Sequence, residues 1–364
     1  MRIPRELSTV NGRLLPLLLS LGAAGPAAAQ PRTPTTAVLS ADASVVAAQE
    51  RGTIRVWERA SGRLVAQLKS SSFFRGAVAP GALVAVVDGG ITVWRGPRFG
   101  QAVKLRGVPK ALSMGRALVS ADGRVAVGQY PKDGGVGDPN TVGVWDARSG
   151  ASRGAVTLER GRVLGVALSR DGRLAALFGD ASGAAQLRVC ELSNRGPREL
   201  WRWESASHRT TYSAAFSDDG KLLALGAGER VLLWDVPARR LRGEVSTAAV
   251  KALFPAELRG PSVQLPGAHQ LVFSPDGKQL ATLHAFSVVG VAVWRVKPGS
   301  ARATLQPTAW IKRPETGGTM RQLAYDRGGK LWLVTATYSP NVWVHAPRGD
   351  RFVEERTLGA VDGR

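Results

Sequence analysis

The chain has 364 residues, 44% of them hydrophobic, so it can form one large domain or two ordinary ones around a substantial core. Its formal net charge of +21 favours anionic partners such as nucleic acid, acidic glycans or envelope polymers, but a mostly arginine basic set also fits a compositional bias. The single cysteine, Cys190, excludes an internal disulfide, and its strand-like segment LRVCELS predicts a buried apolar role.

The first element in chain order is a predicted export signal. Residues 1–13 carry three arginines and one glutamate, and an apolar run interrupted by Pro16 and Pro26 follows. That run is short for a membrane span, which needs roughly 20 residues. Because small residues ending at Ala29 suit signal peptidase, we predict a cleavable signal peptide over residues 1–29. The mature chain would be periplasmic or extracellular, without a transmembrane segment; an uncleaved anchor is the alternative.

A sequence repeat occupies the rest of the chain. Its first anchor is an aromatic residue that ends an apolar burst, with Cys190 in one copy. The anchors are Trp57, Trp94, Trp145, Cys190, Trp234, Trp294 and Trp343. A second anchor is a short turn earlier in each copy, reading SADAS, APGA, SADGR, SRDGR, SDDGK, SPDGK and DRGGK. Asp-Gly between apolar runs is a hairpin signal. Two anchors in the same phase therefore predict seven copies.

Each copy reads as four strands, a to d, of which b and c are apolar at nearly consecutive positions. Such strands are typical of sheets covered on both faces. Seven four-stranded antiparallel sheets predict an all-β fold, a seven-bladed β-propeller. We expect residues 30–364 to form this single domain. The predicted blades span residues 36–70, 71–107, 108–160, 161–206, 207–246, 247–310 and 311–358.

The pattern resembles the WD-repeat propellers over about residues 36–358. The matching features are the Ser-x-Asp-Gly turns and the strand-c tryptophans, with Trp-Asp pairs at Trp145 and Trp234. The family's Gly-His pair before strand a is missing in nearly every copy, and His208 and His269 are the nearest approaches. We therefore expect the family's His–Ser–Asp–Trp hydrogen-bond network to be absent. The resemblance implies a degenerate bacterial exported propeller; it is specific for the fold and does not specify the function.

Long connections are predicted on one face of the propeller. In the family the d–a and b–c links share one face, and the a–b turns, uniformly short here, lie on the other. The long links are residues 130–140, 178–186, 203–210, 246–269, 284–290, 309–319 and 335–341. Length variation on one face of a constant scaffold favours a binding surface, and neutral drift is the alternative.

Candidate ligand-binding residues lie on that long-link face. Aromatic side chains could stack on a ligand, and charged ones could donate hydrogen bonds. The aromatic candidates are Tyr130, Trp203, Tyr212, Phe286, Trp310 and Tyr338, and the donors are His208, Arg209, Lys251, His269, Lys312 and Arg313. A cationic ring at the channel mouth is a further hypothesis, since forked guanidinium donors hold anions. Its members would be Arg75, Arg116, Arg162, His269 and Arg321.

Signals for chemistry are weak. The four histidines lack ligand spacing, so we predict neither a metal site nor a cofactor. No nucleophile elbow, P-loop or dinucleotide fingerprint occurs, so no catalytic residue is assigned. The leading hypothesis is a monomeric, non-catalytic scaffold that binds a protein or an anionic envelope polymer. The alternative is an enzyme acting on a small polar substrate at the channel mouth. Nucleic acid is a third partner class, not favoured because stacking aromatics are not interleaved with the charge.

Overall fold

The computed structural model describes residues 36–50, 52–70, 76–87, 89–108, 117–130, 140–208, 210–254, 267–285, 289–297, 305–314, 319–336 and 342–358. Contacts divide the chain after Arg32, and the fold described here belongs to Thr33–Arg364. Within these ranges no helix is long and apolar enough to cross a membrane. The predicted signal peptide lies outside the described residues.

The first four blades are separate four-stranded sheets. Each blade is one antiparallel sheet whose strands pair in chain order. Blade 1 contains β1 (Thr36–Leu39), β2 (Val45–Glu50), β3 (Thr53–Glu58) and β4 (Leu64–Lys69). Blade 2 contains β5 (Ala77–Ala79), β6 (Ala82–Val87), β7 (Gly90–Arg95) and β8 (Gln101–Lys104). Blade 3 contains β9 (Ala117–Val119), β10 (Val125–Tyr130), β11 (Thr141–Asp146) and β12 (Ser152–Thr157). Blade 4 contains β13 (Arg162–Leu168), β14 (Leu174–Ala181), β15 (Ala184–Ser193) and β16 (Gly196–Ser205).

The remaining blades follow the same pattern. Blade 5 contains β17 (Thr211–Phe216), β18 (Leu222–Ala227), β19 (Arg230–Asp235) and β20 (Arg240–Ser246), and a short 3-10 helix (Thr247–Leu253) follows it. Blade 6 contains β21 (Gln270–Phe273), β22 (Gln279–Ala285), β23 (Val289–Val296) and β24 (Leu305–Lys312). Blade 7 contains β25 (Thr319–Tyr325), β26 (Leu331–Ala336), β27 (Val342–Arg348) and β28 (Arg351–Leu358). Blades 6 and 7 form one eight-stranded sheet, joined by a single parallel pairing of Lys312 with Arg351.

The blades form a closed ring, as expected for a seven-bladed β-propeller. In most neighbouring blades, strand a of one blade lies beside strand a of the next. These pairs are β1 and β5, β5 and β9, β13 and β17, β17 and β21, and β21 and β25. Blades 3 and 4 instead meet through β10 and β13. Strand β1 also lies beside β25, which closes the ring. Seven hydrophobic clusters fill the blade interfaces, and one of them is shared by blades 7 and 1. Each sheet is thus covered on both faces, which explains the nearly continuous apolar strands.

The repeated Ser-x-Asp turn is a hydrogen-bonded hairpin between strands a and b. In five blades the serine hydroxyl donates to the aspartate carboxylate at 2.6–2.8 Å and accepts the backbone N–H that opens strand b at 2.9–3.0 Å. The five pairs are Ser40–Asp42, Ser120–Asp122, Ser169–Asp171, Ser217–Asp219 and Ser274–Asp276. These bonds satisfy buried groups locally, so the motif is structural.

The strand-c anchors occupy equivalent places in six blades. Each pairs with the second residue of strand b, as Trp294 does with Leu280. Trp57, Trp145, Cys190, Trp234 and Trp294 are buried, and Trp94 is half-buried. In blade 7, Trp343 pairs with Thr335 and is half-buried. Thr335 is the fifth residue of strand β26, so Trp343 lies farther from the a–b turn than the other six anchors do.

A hydrogen-bonded Trp–Thr–His chain, different from the His–Ser–Asp–Trp network expected to be absent, is present in blade 6. The Trp294 indole donates to the Thr282 hydroxyl at 3.0 Å, and that hydroxyl lies 2.9 Å from Nε2 of His284. All three side chains are fully buried. The histidine lies on strand b, not on the link before strand a, so the family's spacing does not reveal it. A Thr335–His345 pair at 2.9 Å repeats part of the chain in blade 7.

Candidate functional site

The structure describes half of the predicted ligand-binding set in full. Arg162, His208, Tyr212 and His269 are described with their side chains, and Arg321 through its backbone alone. Arg75, Arg116 and Tyr338 lie outside the described residues, as do the candidates Arg209 and Phe286. The cationic ring therefore remains a prediction.

Arg162 opens strand β13, and its charge is offset by a neighbour. It pairs in register with Asp180 at the end of β14, and the Asp180 carboxylate lies 3.2 Å from its guanidinium Nε. Its side chain is 45% exposed, so the pair is screened by water. A bound anion would have to compete with Asp180 for this guanidinium.

His208 is the centre of a polar cluster between blades 4 and 5, which we call the His208 cluster: Ser205, Ser207, His208, Arg230 and Glu244. Its Nδ1 lies 2.8 Å from the Ser205 hydroxyl and 3.1 Å from the Ser207 hydroxyl. Its Nε2 lies 3.1 Å from one carboxylate oxygen of Glu244, and Arg230 donates to the other at 2.6 Å. In the tautomer with the proton on Nε2, the ring donates to Glu244 and its Nδ1 lone pair accepts from one serine hydroxyl, while the two hydroxyls lie 2.8 Å apart and can bond to each other.

Tryptophans form the apolar base of this cluster. The His208 ring lies 5.4 Å from the Trp203 ring, and Trp203 meets Trp234 edge-on at 5.3 Å. Trp201, which the sequence analysis did not select, lies 6.0 Å from Trp234. Trp203 and Trp201 belong to the outer strand of blade 4, whereas Trp234 belongs to blade 5. The imidazole is therefore held between blades by an aromatic wall on one side and Glu244 on the other.

Tyr212 and His269 form a second predicted pair that the structure brings together. Their rings lie 5.2 Å apart across the junction of blades 5 and 6. Tyr212 lies at a register shift in β17, between the paired residues Thr211 and Ser213. Burial lowers the pKa of the His269 imidazole, so this ring is neutral at pH 7. The pair offers aromatic surface and a neutral imidazole, not a fixed positive charge.

Gly267 makes this aromatic pair feasible. A Cβ at that position would lie well inside van der Waals distance of the Tyr212 ring and of the Gly228 carbonyl. The adjacent carbonyl of Ala268 accepts a 2.8 Å hydrogen bond from the buried Ser213 hydroxyl, which ties strand a of blade 5 to the start of blade 6. Only glycine fits between these groups.

Some long-link candidates have packing roles instead. Trp310 is 5% exposed and packs 4.6 Å from Phe254 in the core, so it cannot stack on a ligand. Lys312 pairs with Asp350 at 3.3 Å. The expected blade 4 link at 178–186 is mostly strand, since β14 and β15 extend to a two-residue turn at Ser182 and Gly183.

A small polar cleft lies on the other side of blade 4. Its volume is about 170 Å³, room for roughly six waters at ~30 Å³ each. Its lining carries both signs of charge: Glu159, Arg160, Arg188, Arg202 and Glu204, with Gln186. Arg202 bonds to Glu199 at 3.0 Å and to Glu159 at 3.3 Å, and Arg188 pairs with Glu199. These internal pairs neutralise the cleft, which therefore does not select anions by charge.

The opposite face carries two ion pairs that sequence reasoning missed. Arg170 binds Asp218 between blades 4 and 5, and Arg327 lies 3.5 Å from Asp42 between blades 7 and 1. Burial, and then repulsion from Asp219 and Asp42, raises the pKa of Asp218 despite its arginine. Three of these residues occupy variable positions of the repeated turns, so no motif marks them.

The described residues offer little for metal or thiol chemistry. Within them, no three His, Cys, Asp or Glu side chains are grouped to hold a metal ion. Burial raises the pKa of the Cys190 thiol to about 11, so the thiolate nucleophile is scarce at neutral pH.

Comparisons with known proteins support the fold. No protein-family model matches the chain, and no curated protein matches it in sequence. Among solved structures, hydrazine synthase from Kuenenia stuttgartiensis is similar with a TM-score of 0.62 and 12% identity, over 90% of this chain and 100% of that one. A chain of the mitotic checkpoint complex is similar with a TM-score of 0.59 and 16% identity, over 90% and 98%. Both are β-propeller proteins. At these identities the likeness concerns the fold alone.

Proposed function

We propose that this chain is an exported, non-catalytic, WD-repeat-like propeller that binds a protein or an anionic envelope polymer through its long-link face. The observation that carries the proposal is the asymmetry between the two faces. The a–b turns share one hydrogen-bonded geometry in five blades, whereas the links of varied length and the His208 cluster lie at the other ends of the strands. Variation on a constant scaffold is typical of binding surfaces.

The sector around blades 4 to 6 has the components of a recognition site. His208, Glu244 and Arg230 offer both donors and acceptors, and Trp203 supports them with apolar surface. Tyr212 adds a half-buried ring next to His269. Half-buried aromatic side chains surrounded by polar groups are the usual anchors of protein interfaces. The net charge of +21 would speed encounter with an anionic partner without itself fixing the partner.

The test is capture of partners from envelope extract by immobilised protein. Tyr212→Ala combined with His208→Ala removes the aromatic and imidazole groups from the proposed face. Lys278→Ala is the matched control, because that lysine is 80% exposed on the a–b turn of blade 6. We expect the double variant to lose a captured species that the control retains. Equal capture by both variants would refute the proposed face.

A second candidate function is ester or amide hydrolysis, favoured by the Ser205–His208–Glu244 chain. A hydroxyl bonded to an imidazole that is oriented by a carboxylate is the arrangement that activates a serine nucleophile. Ser205 would attack a carbonyl carbon while His208 takes its proton and passes it to the departing alcohol or amine as the carbonyl bond to that group breaks. Water, deprotonated by His208, would then hydrolyse the acyl-serine and restore the Ser205 hydroxyl. A fluorophosphonate probe tests this role: labelling lost in Ser205→Ala but kept in Ser207→Ala supports it, and no labelling excludes it.

A further inference from the structure

We infer that the seam between the outer strands β16 and β20 docks an extended, acidic segment of a partner protein. The seam is defined by Trp201, Trp203, Trp234, Leu241 and the arginines beside Leu241. This inference adds a surface on the rim of the propeller and does not require the long-link face to bind.

The seam exposes one large apolar side chain beside half-buried indoles. Leu241 is 42% exposed, one of two large hydrophobic side chains this exposed among the described residues. It pairs in register with Trp234, so both side chains lie on the same face of blade 5. Trp201, across the seam on β16, is half-buried and packs against Trp234. One exposed leucine beside the half-buried Trp201 indole offers apolar contact to a single side chain of a partner.

The backbone of β20 is available for pairing. It is the last strand of its sheet, with β19 on one side and no strand bonded on the other in the described structure. An extended peptide can add to such an edge through main-chain hydrogen bonds, with alternate side chains entering pockets. In addition, the buried indole N–H of Trp201 has no acceptor among the described residues, and a docked carbonyl can supply one.

Charge decides which segment fits. Arg239 and Arg240 are exposed next to Leu241, and neither has a carboxylate within ion-pair distance in the part of the chain that the structure describes. Arg242 uses one guanidinium nitrogen on the Lys297 carbonyl at 2.9 Å and keeps its charge. Three adjacent cations favour aspartate or glutamate on the incoming strand. They also disfavour a second copy of this chain, because antiparallel β20 strands would place arginines opposite each other.

The experiment is selection of a random dodecapeptide library on the purified full-length protein. We expect enriched peptides that alternate apolar residues with aspartate or glutamate. Their affinity should fall by about tenfold or more in Arg240→Glu and in Leu241→Glu. Lys104→Glu is the charge control, since Lys104 is exposed on the outer strand β8 of blade 2, and it should change affinity less than about threefold.

Several outcomes would overturn the inference. Enrichment of peptides without acidic residues, whether basic or wholly apolar, would refute the charge argument. Equal weakening by Arg240→Glu and Lys104→Glu would show general electrostatic attraction without a seam. Methylation of alternate peptide nitrogens should abolish binding if a strand is added, and unchanged binding would refute strand addition. Loss of envelope capture in the Tyr212 and His208 variant concerns the long-link face alone, so the two proposals fail separately.

Discussion

The guanidinium carbon of Arg59 lies 3.7 Å from the centroid of the Trp332 ring, which fixes the first blade to the last. The same guanidinium lies 3.7 Å from the Asp326 carboxylate and donates to the Ala43 carbonyl. Asp326 in turn accepts the Trp332 indole N–H at 2.8 Å. Because each terminal blade supplies all four of its own strands, side-chain contacts close the ring without strand exchange.

Arg59→Ala should therefore destabilise the propeller. The arginine side chain is 15% exposed, and its removal deletes a cation–π contact and an ion pair and leaves a carbonyl without its donor. We expect a loss of about 2 kcal/mol in the free energy of unfolding, measured by urea denaturation. Arg63→Ala is the control, since that side chain is 68% exposed and its one ion pair among the described residues is with exposed Glu58. A loss no larger than the control's would contradict the closure role.

Gly267→Ala should disturb the Tyr212–His269 pair. The added methyl group has no room beside the Tyr212 ring and the Gly228 carbonyl, so the ring must move or the backbone must shift. We expect a cost of about 1–3 kcal/mol in unfolding free energy and a changed Tyr212 environment in aromatic NMR spectra. Gly100→Ala has open space around its Cβ and should be neutral. An unperturbed Tyr212 signal in Gly267→Ala would disprove the packing argument.

Thr282→Val should lower the free energy of unfolding more than substitution of a threonine outside the buried core. It leaves the buried Trp294 N–H without its acceptor and removes the hydroxyl next to His284, with little change in volume. We expect the free energy of unfolding, measured by urea denaturation, to fall by about 2–4 kcal/mol, since each unsatisfied buried polar group costs about 1–3 kcal/mol. Thr308→Val, a partly buried threonine on the same blade, removes one hydroxyl-to-carbonyl bond and should cost about 1 kcal/mol. Equal losses of unfolding free energy in the two variants would contradict the buried Trp294–Thr282–His284 hydrogen-bond chain.

Stability should fall in mild acid because of His345. Burial lowers the pKa of this fully buried imidazole to about 4, against an opposing effect of the Glu354 charge. Between pH 6.5, near the pKa of the unfolded chain, and pH 4, the unfolded chain binds a proton that the folded chain does not. The free energy of unfolding therefore decreases as the pH falls through that window, and this contribution is constant below it. The wild type should lose about 2 kcal/mol more than His345→Gln between pH 7 and pH 4.5. If the free energy of unfolding changed equally with pH in the two proteins, the result would contradict a neutral buried histidine.

The repeat could be recognised from sequence because its signals are local. Ser217 and Asp219 lie within one turn, and the hydroxyl-to-carboxylate bond that links them needs no distant partner. The same is true of Trp234, whose burial follows from the apolar run around it. Local signals of this kind predict the hairpins and hence the blades.

Other features depend on register and distant contacts, which sequence patterns do not encode. Spacing predicts Trp343 as the seventh anchor, but the strands pair Trp343 with Thr335, whereas each of the other six anchors pairs with the second residue of strand b. The predicted link at residues 178–186 contains Gly179, Asp180, Ser182 and Gly183, but only Ser182 and Gly183 form the turn, and the other residues extend strands β14 and β15. Arg59 and Trp332 meet only when the ring closes, so neither residue stands out in the chain.

Photo-crosslinking tests the central claim, a partner on the long-link face, most directly. A photoreactive phenylalanine at Glu229 or Arg160 would probe that face, and one at Arg173 or Lys278 would probe the a–b turn face; all four positions are exposed. The account predicts adducts with an envelope component from the first two positions and none from the second two. Adducts mainly from Arg173 and Lys278, or equal yields from both faces, would contradict it.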